Sequence, residues 1–218
     1  MVSISKTGEV SSIIGASRLE EPVALAIYEN DLFVADYQAH VVVNSCLKGS
    51  KETQRIEVSW PKAIAFDPTR ERLYIASRML SVVDLKTGKT DAVFPEHPNA
   101  VCLSPDRRRL YVAVVKPNET SSLIVELSPT MEQRTLCTVP HIVSSLTTTP
   151  AGLLAIHTKG LTGINLQHGT FTTVWNSDDT SKKVRGAVAL PTKNYAITCG
   201  NLLLEVPRDG SAAKNYAS

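Results

Sequence analysis

No apolar run in this sequence approaches the length needed to cross a bilayer as a helix, so no membrane span is expected. The opening MVSISKTGEV lacks the basic start and continuous apolar core of a secretory leader, and an intracellular location, cytoplasmic or nuclear, is expected. Cysteine is sparse. Cys46, Cys102, Cys137 and Cys199 lie far apart without a C-x-x-C pair, which argues against a zinc site built from thiolates. Three of them sit in strand-like apolar runs, where free thiols are commonly buried, and all four are expected to be reduced and inert. A large charge of either sign is also missing: a net +2 gives no strong global field, and neither demands nor forbids an anionic partner. Nucleophile elbow, phosphate loop and paired-carboxylate motif are all absent, so no catalytic residue, metal ligand or cofactor is assigned. The hydroxyl-rich Ser144-Ser145 and Thr147-Thr148-Thr149 have no base nearby. These absences lean against an enzyme without deciding the matter. Finally, no segment carries a convincing helical apolar period over eleven or more residues, which argues against helical repeats.

What is present is apolar residue in quantity, 43% of 218 positions, enough for one medium domain or one repeat array. Laid over one another, PVALAIYENDLFVAD from Pro22, PKAIAFDPTRERLYIAS from Pro61 and PNAVCLSPDRRRLYVAV from Pro98 are copies of one unit. SLTTTPAGLLAIH from Ser145 and AVALPTKNYAITC from Ala187 are weaker copies. Aligning Ala24, Ala63, Ala100, Ser145 and Ala187 gives steps of 39, 37, 45 and 42 residues, a period in the range of solenoids, propellers and arrays.

The content of each unit chooses among these. Two short apolar runs flank a turn, a third strand follows, and turn residues such as Lys86-Thr87-Gly88-Lys89 lead to a fourth, more polar strand. Four short strands per unit make the blade of an all-β propeller, whose inner strands are apolar because neighbouring blades cover both faces. The expected organisation is a single propeller domain over 1–218, with blade units near 22–60, 61–97, 98–140, 141–183 and 184–218. Residues 2–14 are expected to give one or more outer strands that close the ring.

The pattern of Pro, a spacer and Ala, followed by Leu32-Phe33-Val34-Ala35-Asp36 or Leu110-Tyr111-Val112-Ala113, resembles NHL-type and YVTN-type propeller repeats. Residues 145–200 depart from it, with Ser145 in place of Ala and the Tyr-Val-Ala signature lost. Two closures are open. Val10–Ile14 can supply the outer strand of the last blade and complete five blades, or the chain can be part of a ring of six or more, as NHL-like rings commonly are.

In such a fold the loops leading into the innermost strand and those leaving the second strand share one face. The first set offers Trp60, Lys62, His97, Asn99, His141 and Arg185, and the second Asp36, Tyr37, Arg78, Lys116 and His157. This face is the expected surface for a protein partner, the role of an interaction module or scaffold. Because some NHL-type propellers bind RNA, the resemblance makes RNA the alternative partner. Lys62, Arg78, Lys116, Lys182, Lys183 and Arg185 would meet phosphates, with Trp60 and Tyr37 for stacking. Third comes a metal-dependent lactonase- or lyase-like enzyme, for which His97, His141 and His157 would have to converge with Asp36. Arg107-Arg108-Arg109 falls in the turn between first and second strands, on the other face, and reads as a solvated turn.

Overall fold

The computed structural model describes residues 2–4, 10–12, 19–47, 51–94, 97–177, 183–190, 194–199, 202–208 and 214–215. The fold is an all-β propeller of five four-stranded antiparallel blades, with no helix among the described residues. Two compact units divide it, Met1–Pro95 and Glu96–Ser218.

In the first unit, β1 (Val2–Ile4) pairs with β2 (Val10–Ser12) as a separate two-stranded sheet. The first blade is β3 (Pro22–Tyr28), β4 (Asp31–Asp36), β5 (Val41–Cys46) and β6 (Lys51–Glu57). The second is β7 (Ala63–Asp67), β8 (Arg72–Ala76), β9 (Leu80–Asp84) and β10 (Thr90–Phe94). Phe33, Ala35, Val42 and Ile56 of the first blade pack on Ile64, Leu73, Ile75 and Val83 of the second. Phe66 lies with its ring 5.2 Å from both Phe33 and Tyr28. On β3 the expectation of burial on both faces fails, since Val23, Leu25 and Ile27 are exposed.

The second unit holds three blades. They are β11 (Pro98–Leu103), β12 (Leu110–Val114), β13 (Ser122–Leu127) and β14 (Gln133–Val139); β15 (Val143–Thr149), β16 (Gly152–His157), β17 (Gly160–Ile164) and β18 (Phe171–Asn176); and β19 (Val184–Ala189), β20 (Tyr195–Cys199), β21 (Leu202–Val206) and β22 (Lys214–Asn215). One apolar layer joins Tyr111, Ala113 and Ile124 to Val143, Leu146 and Leu153. Another joins Leu154, Ile156 and Leu161 to Tyr195, Ile197 and Val206. Each Val, Leu, Ile or Phe side chain among them contributes roughly 1.5–3 kcal/mol on full burial, so the layers between blades carry the stability. Burial also raises the thiols they enclose: Cys137 is pushed up to about 11 and Cys102 further still, which keeps both protonated and unreactive.

Three expectations are corrected. The outer strand of the last blade is Lys214–Asn215, not Val10–Ile14; Val10–Ser12 pairs instead with Val2–Ile4, a partner close by in the sequence, while residues 13 and 14 lie outside the described part. The fifth copy of the repeat is displaced by one residue, because Gly186, not Ala187, pairs opposite Thr198 as Ala24 pairs opposite Ala35. Arg109 is not merely solvated. Its guanidinium donates to the nearly buried Glu126 carboxylate at 2.6 Å, and Arg134 reaches the same group at 3.2 Å. Two cations thus compensate one buried charge.

The turn between β15 and β16 depends on Gly152, whose φ of +135° is rare for L side chains and whose added Cβ would stand 2.5 Å from the Ile164 carbonyl oxygen. Gly152→Ala is expected to destabilise the protein by about 2 kcal/mol or more, read as a lowered midpoint of urea unfolding at unchanged slope.

Candidate binding surface

All five blades are built alike at the end where the first strand begins and the second finishes. The first strand opens on Pro22, Pro98, Val143 or Val184, paired with the last residue of the second strand, Asp36, Val114, His157 or Cys199. One extra residue then interrupts the ladder: Val23, Asn99, Ser144 or Arg185. Pro61, Lys62 and Ser77 hold the corresponding places in the second blade, where the Lys62 amide donates to the Ala76 carbonyl at 2.7 Å. A bulge re-aims a side chain out of the strand's alternation, and Lys62, Asn99 and Arg185, expected in the loops that lead into the innermost strand, fall at this place in the repeat. The strand-end residues Asp36, Ser77, Val114, His157 and Cys199 are all buried, and each has a different chemistry.

In the first unit, Asp36 is consumed by structure. Its carboxylate accepts from the amides of Glu20 at 2.7 Å, Glu21 at 2.8 Å and Ala39 at 3.2 Å, tying the approach to β3 onto the end of β4. The adjacent Tyr37 is half-buried, with its amide donating to the Glu21 carbonyl. Ser77 Oγ donates to the Met79 carbonyl at 2.8 Å and shapes the turn that leaves Arg78 exposed. Lys62 is half-buried, and burial lowers the pKa of its ammonium. Trp60 is exposed at φ +50°; its amide donates to His40 Nδ1 at 3.1 Å, and the two rings meet edge-on at 5.0 Å. No local pattern marks His40, twenty residues earlier, as its partner.

In the second unit, His141 and His157 come together, their rings stacked at 4.2 Å and 27°. The hairpin register explains it: His157 pairs with Val143, two residues beyond His141. His157 is buried, its Nε2 hydrogen-bonds Thr162 Oγ1 at 3.1 Å, and its Nδ1 has no partner. Burial, then the neighbouring His141, then Lys159, lower its pKa to about 4. Burial and Lys159 lower that of His141 too, so both rings are neutral at physiological pH. Asn99 Nδ2 donates to the Val143 carbonyl at 2.7 Å, and the Val143 amide donates to Ser122 Oγ at 2.8 Å, which fixes β15 against the preceding blade. Next to the pair, Ile142 is 44% exposed, and Lys159 is exposed as well. His97 and Lys116 are exposed. Lys182 and the side chain of Arg185 lie outside the described part.

A metal site needs several converging donors, and the strand ends do not supply them. Among the described residues no three His, Cys, Asp or Glu side chains are grouped to hold an ion. The sole carboxylate at a strand end, Asp36, has both oxygens engaged by backbone amides, and none of the bulge residues is acidic. The convergence of His97, His141, His157 and Asp36 is therefore not formed among the described residues.

No protein-family model and no curated protein matches the sequence. Solved structures do match it in fold. A chain of a nidogen–laminin complex superposes with a TM-score of 0.82 at 14% identity, over 100% of this chain and 89% of that one. A gluconolactonase from Xanthomonas campestris gives 0.71 at 12% identity, over 93% and 76%. Hydrazine synthase from Kuenenia stuttgartiensis gives 0.68 at 20% identity over 91% of this chain, which spans 62% of that protein's length. At such identities the likeness is one of fold.

Two measurements probe these strand ends. Asp36→Ala is expected to lower stability by about 3 kcal/mol, since three amides lose a charged acceptor, whereas Tyr37→Ala, beside it, costs less. The folded protein holds His157 neutral while the unfolded chain protonates it near 6.5. Stability is therefore expected to fall as pH drops from about 6.5 and to level off near 4. In His157→Gln that slope in thermal denaturation should flatten.

Proposed function

We propose that this chain is a non-catalytic interaction module of the NHL and YVTN kind, and that it holds an intracellular protein partner at the His141–His157 edge of the second unit. The observation that carries the reading is a rigid, uncharged patch in a polar setting. Ile142 stands exposed beside two stacked neutral imidazoles, on backbone pinned by Asn99 and Ser122. Anchors of this sort, prepaid in conformational entropy and flanked by polar side chains, are what protein contacts use most. Lys159 beside the patch favours an acidic residue on the partner. A lactonase-like reaction, the reading that the gluconolactonase likeness would favour, finds no grouped donors among the described residues.

Ile142→Asp and Lys159→Glu are expected to abolish recovery of a specific co-purifying protein at neutral pH. Arg108→Glu, in the turn at the other end of its blade, should leave it intact. Retention of that protein by both edge variants would overturn the assignment of the surface.

A further inference from the structure

A cleft of about 300 Å³ opens between the fourth and fifth blades, at the end of the strands opposite the histidine pair. Its origin lies in the repeat itself. In the first three blades the second strand places an aromatic ring at its second repeat position and alanine two residues on: Phe33 and Ala35, Tyr74 and Ala76, Tyr111 and Ala113. The third strand sets Asn44, Val82 or Glu126 opposite the ring. The fourth blade has Leu154 in place of the ring and Ile156 in place of the alanine, and Gly163 stands opposite Leu154. Volume has moved toward the histidine end, and the other end is left hollow over Gly163.

The lining is selective. Leu154, Ile164 and Val174 give it apolar walls, and Arg208 brings a guanidinium with no ion-pair partner among the described residues. Asn165 uses its Oδ1 to accept from the amides of Gln167 and His168, and among the described residues its Nδ2 and the Thr172 hydroxyl have no hydrogen-bond partner. Among the described residues no carboxylate lines the space. A cavity with spare donors, one cation and apolar walls calls for a ligand with one anionic acceptor group and an apolar body. A phosphate ester would bring a second negative charge with no second cation to meet it. We propose that this cleft binds a small monocarboxylic acid, its carboxylate on Arg208 and its apolar part against Leu154 and Val174 above Gly163. The site is separate from the partner surface and stands whether or not that surface binds protein.

Calorimetric titration of the whole chain with hexanoate, hexanamide and inorganic phosphate tests this. Hexanoate is expected to bind saturably, and hexanamide at least about tenfold more weakly, the loss that removing one charge-assisted hydrogen bond produces. Arg208→Gln should weaken hexanoate by a similar factor and leave hexanamide unchanged; this side chain is exposed, so the variant is expected to fold. Leu154→Phe, which restores the ring of the first three blades, should eliminate binding of both without lowering the melting temperature. If Leu154→Phe does not fold, the Arg208→Gln comparison decides alone. The proposal is overturned by the absence of saturable hexanoate binding, by equal affinity for the amide, or by indifference to Arg208→Gln. Phosphate binding as tight as that of hexanoate would overturn it as well, since the apolar walls would then play no part.

Discussion

Everything described above depends on burying one strand per blade on both of its faces. The second strands β4, β8, β12 and β16 are covered almost end to end, while the outer strands β14 and β18 are largely exposed. A single blade cannot achieve this, because a four-stranded sheet alone leaves both faces of every strand in water. Stacking sheet on sheet removes that exposure, and the packed pair then holds the strand ends at fixed spacing. The loops inherit their rigidity from this layer. His141 and Ile142 belong to a connection, yet hydrogen bonds to two neighbouring strands anchor the residue that follows them.

The strand-end position has been put to a different use in each blade. Asp36 gathers amides, Ser77 closes a turn, Val114 packs, His157 bonds Thr162, and Cys199 joins an apolar layer. Burial is common to all five and chemistry is not. The framework demands only that the slot be filled, so the connection above it is free to diverge blade by blade.

The blades could be read from the sequence because burial on two faces writes a conspicuous signature: Leu32 to Ala35, Leu73 to Ala76 and Leu110 to Ala113 contain no charged residue. The fifth copy was misplaced by one residue, since Gly186 and Ala187 are equally small and only the bulge tells them apart. The last outer strand, Lys214–Asn215, is short and polar, and nothing in the pattern distinguishes it from a loop. At the candidate surface, Lys62 and Asn99 could be found because the repeat places them where the chain enters the innermost strand. The role of Asp36 could not, because its partners are main-chain amides and carry no side-chain signal. The stacking of His141 on His157 emerges only once the hairpin register is known. The cleft was hidden for another reason: it comes from what Leu154 and Gly163 lack, and a missing volume leaves no motif.

Every blade pairs strands in the order in which they occur along the chain, so among the described residues no blade's ladder reaches beyond its own repeat. Most β-sandwiches bring distant segments together before any sheet can form, and their folding is slow for that reason. Here the loops to be closed are hairpins. As the chain leaves the ribosome, each blade can complete its own ladder while the next is still being made, and wait only for a neighbour to cover its apolar face. The interval in which aggregation-prone surface stands open is then set by the synthesis of about forty residues, rather than by a search through the whole polypeptide.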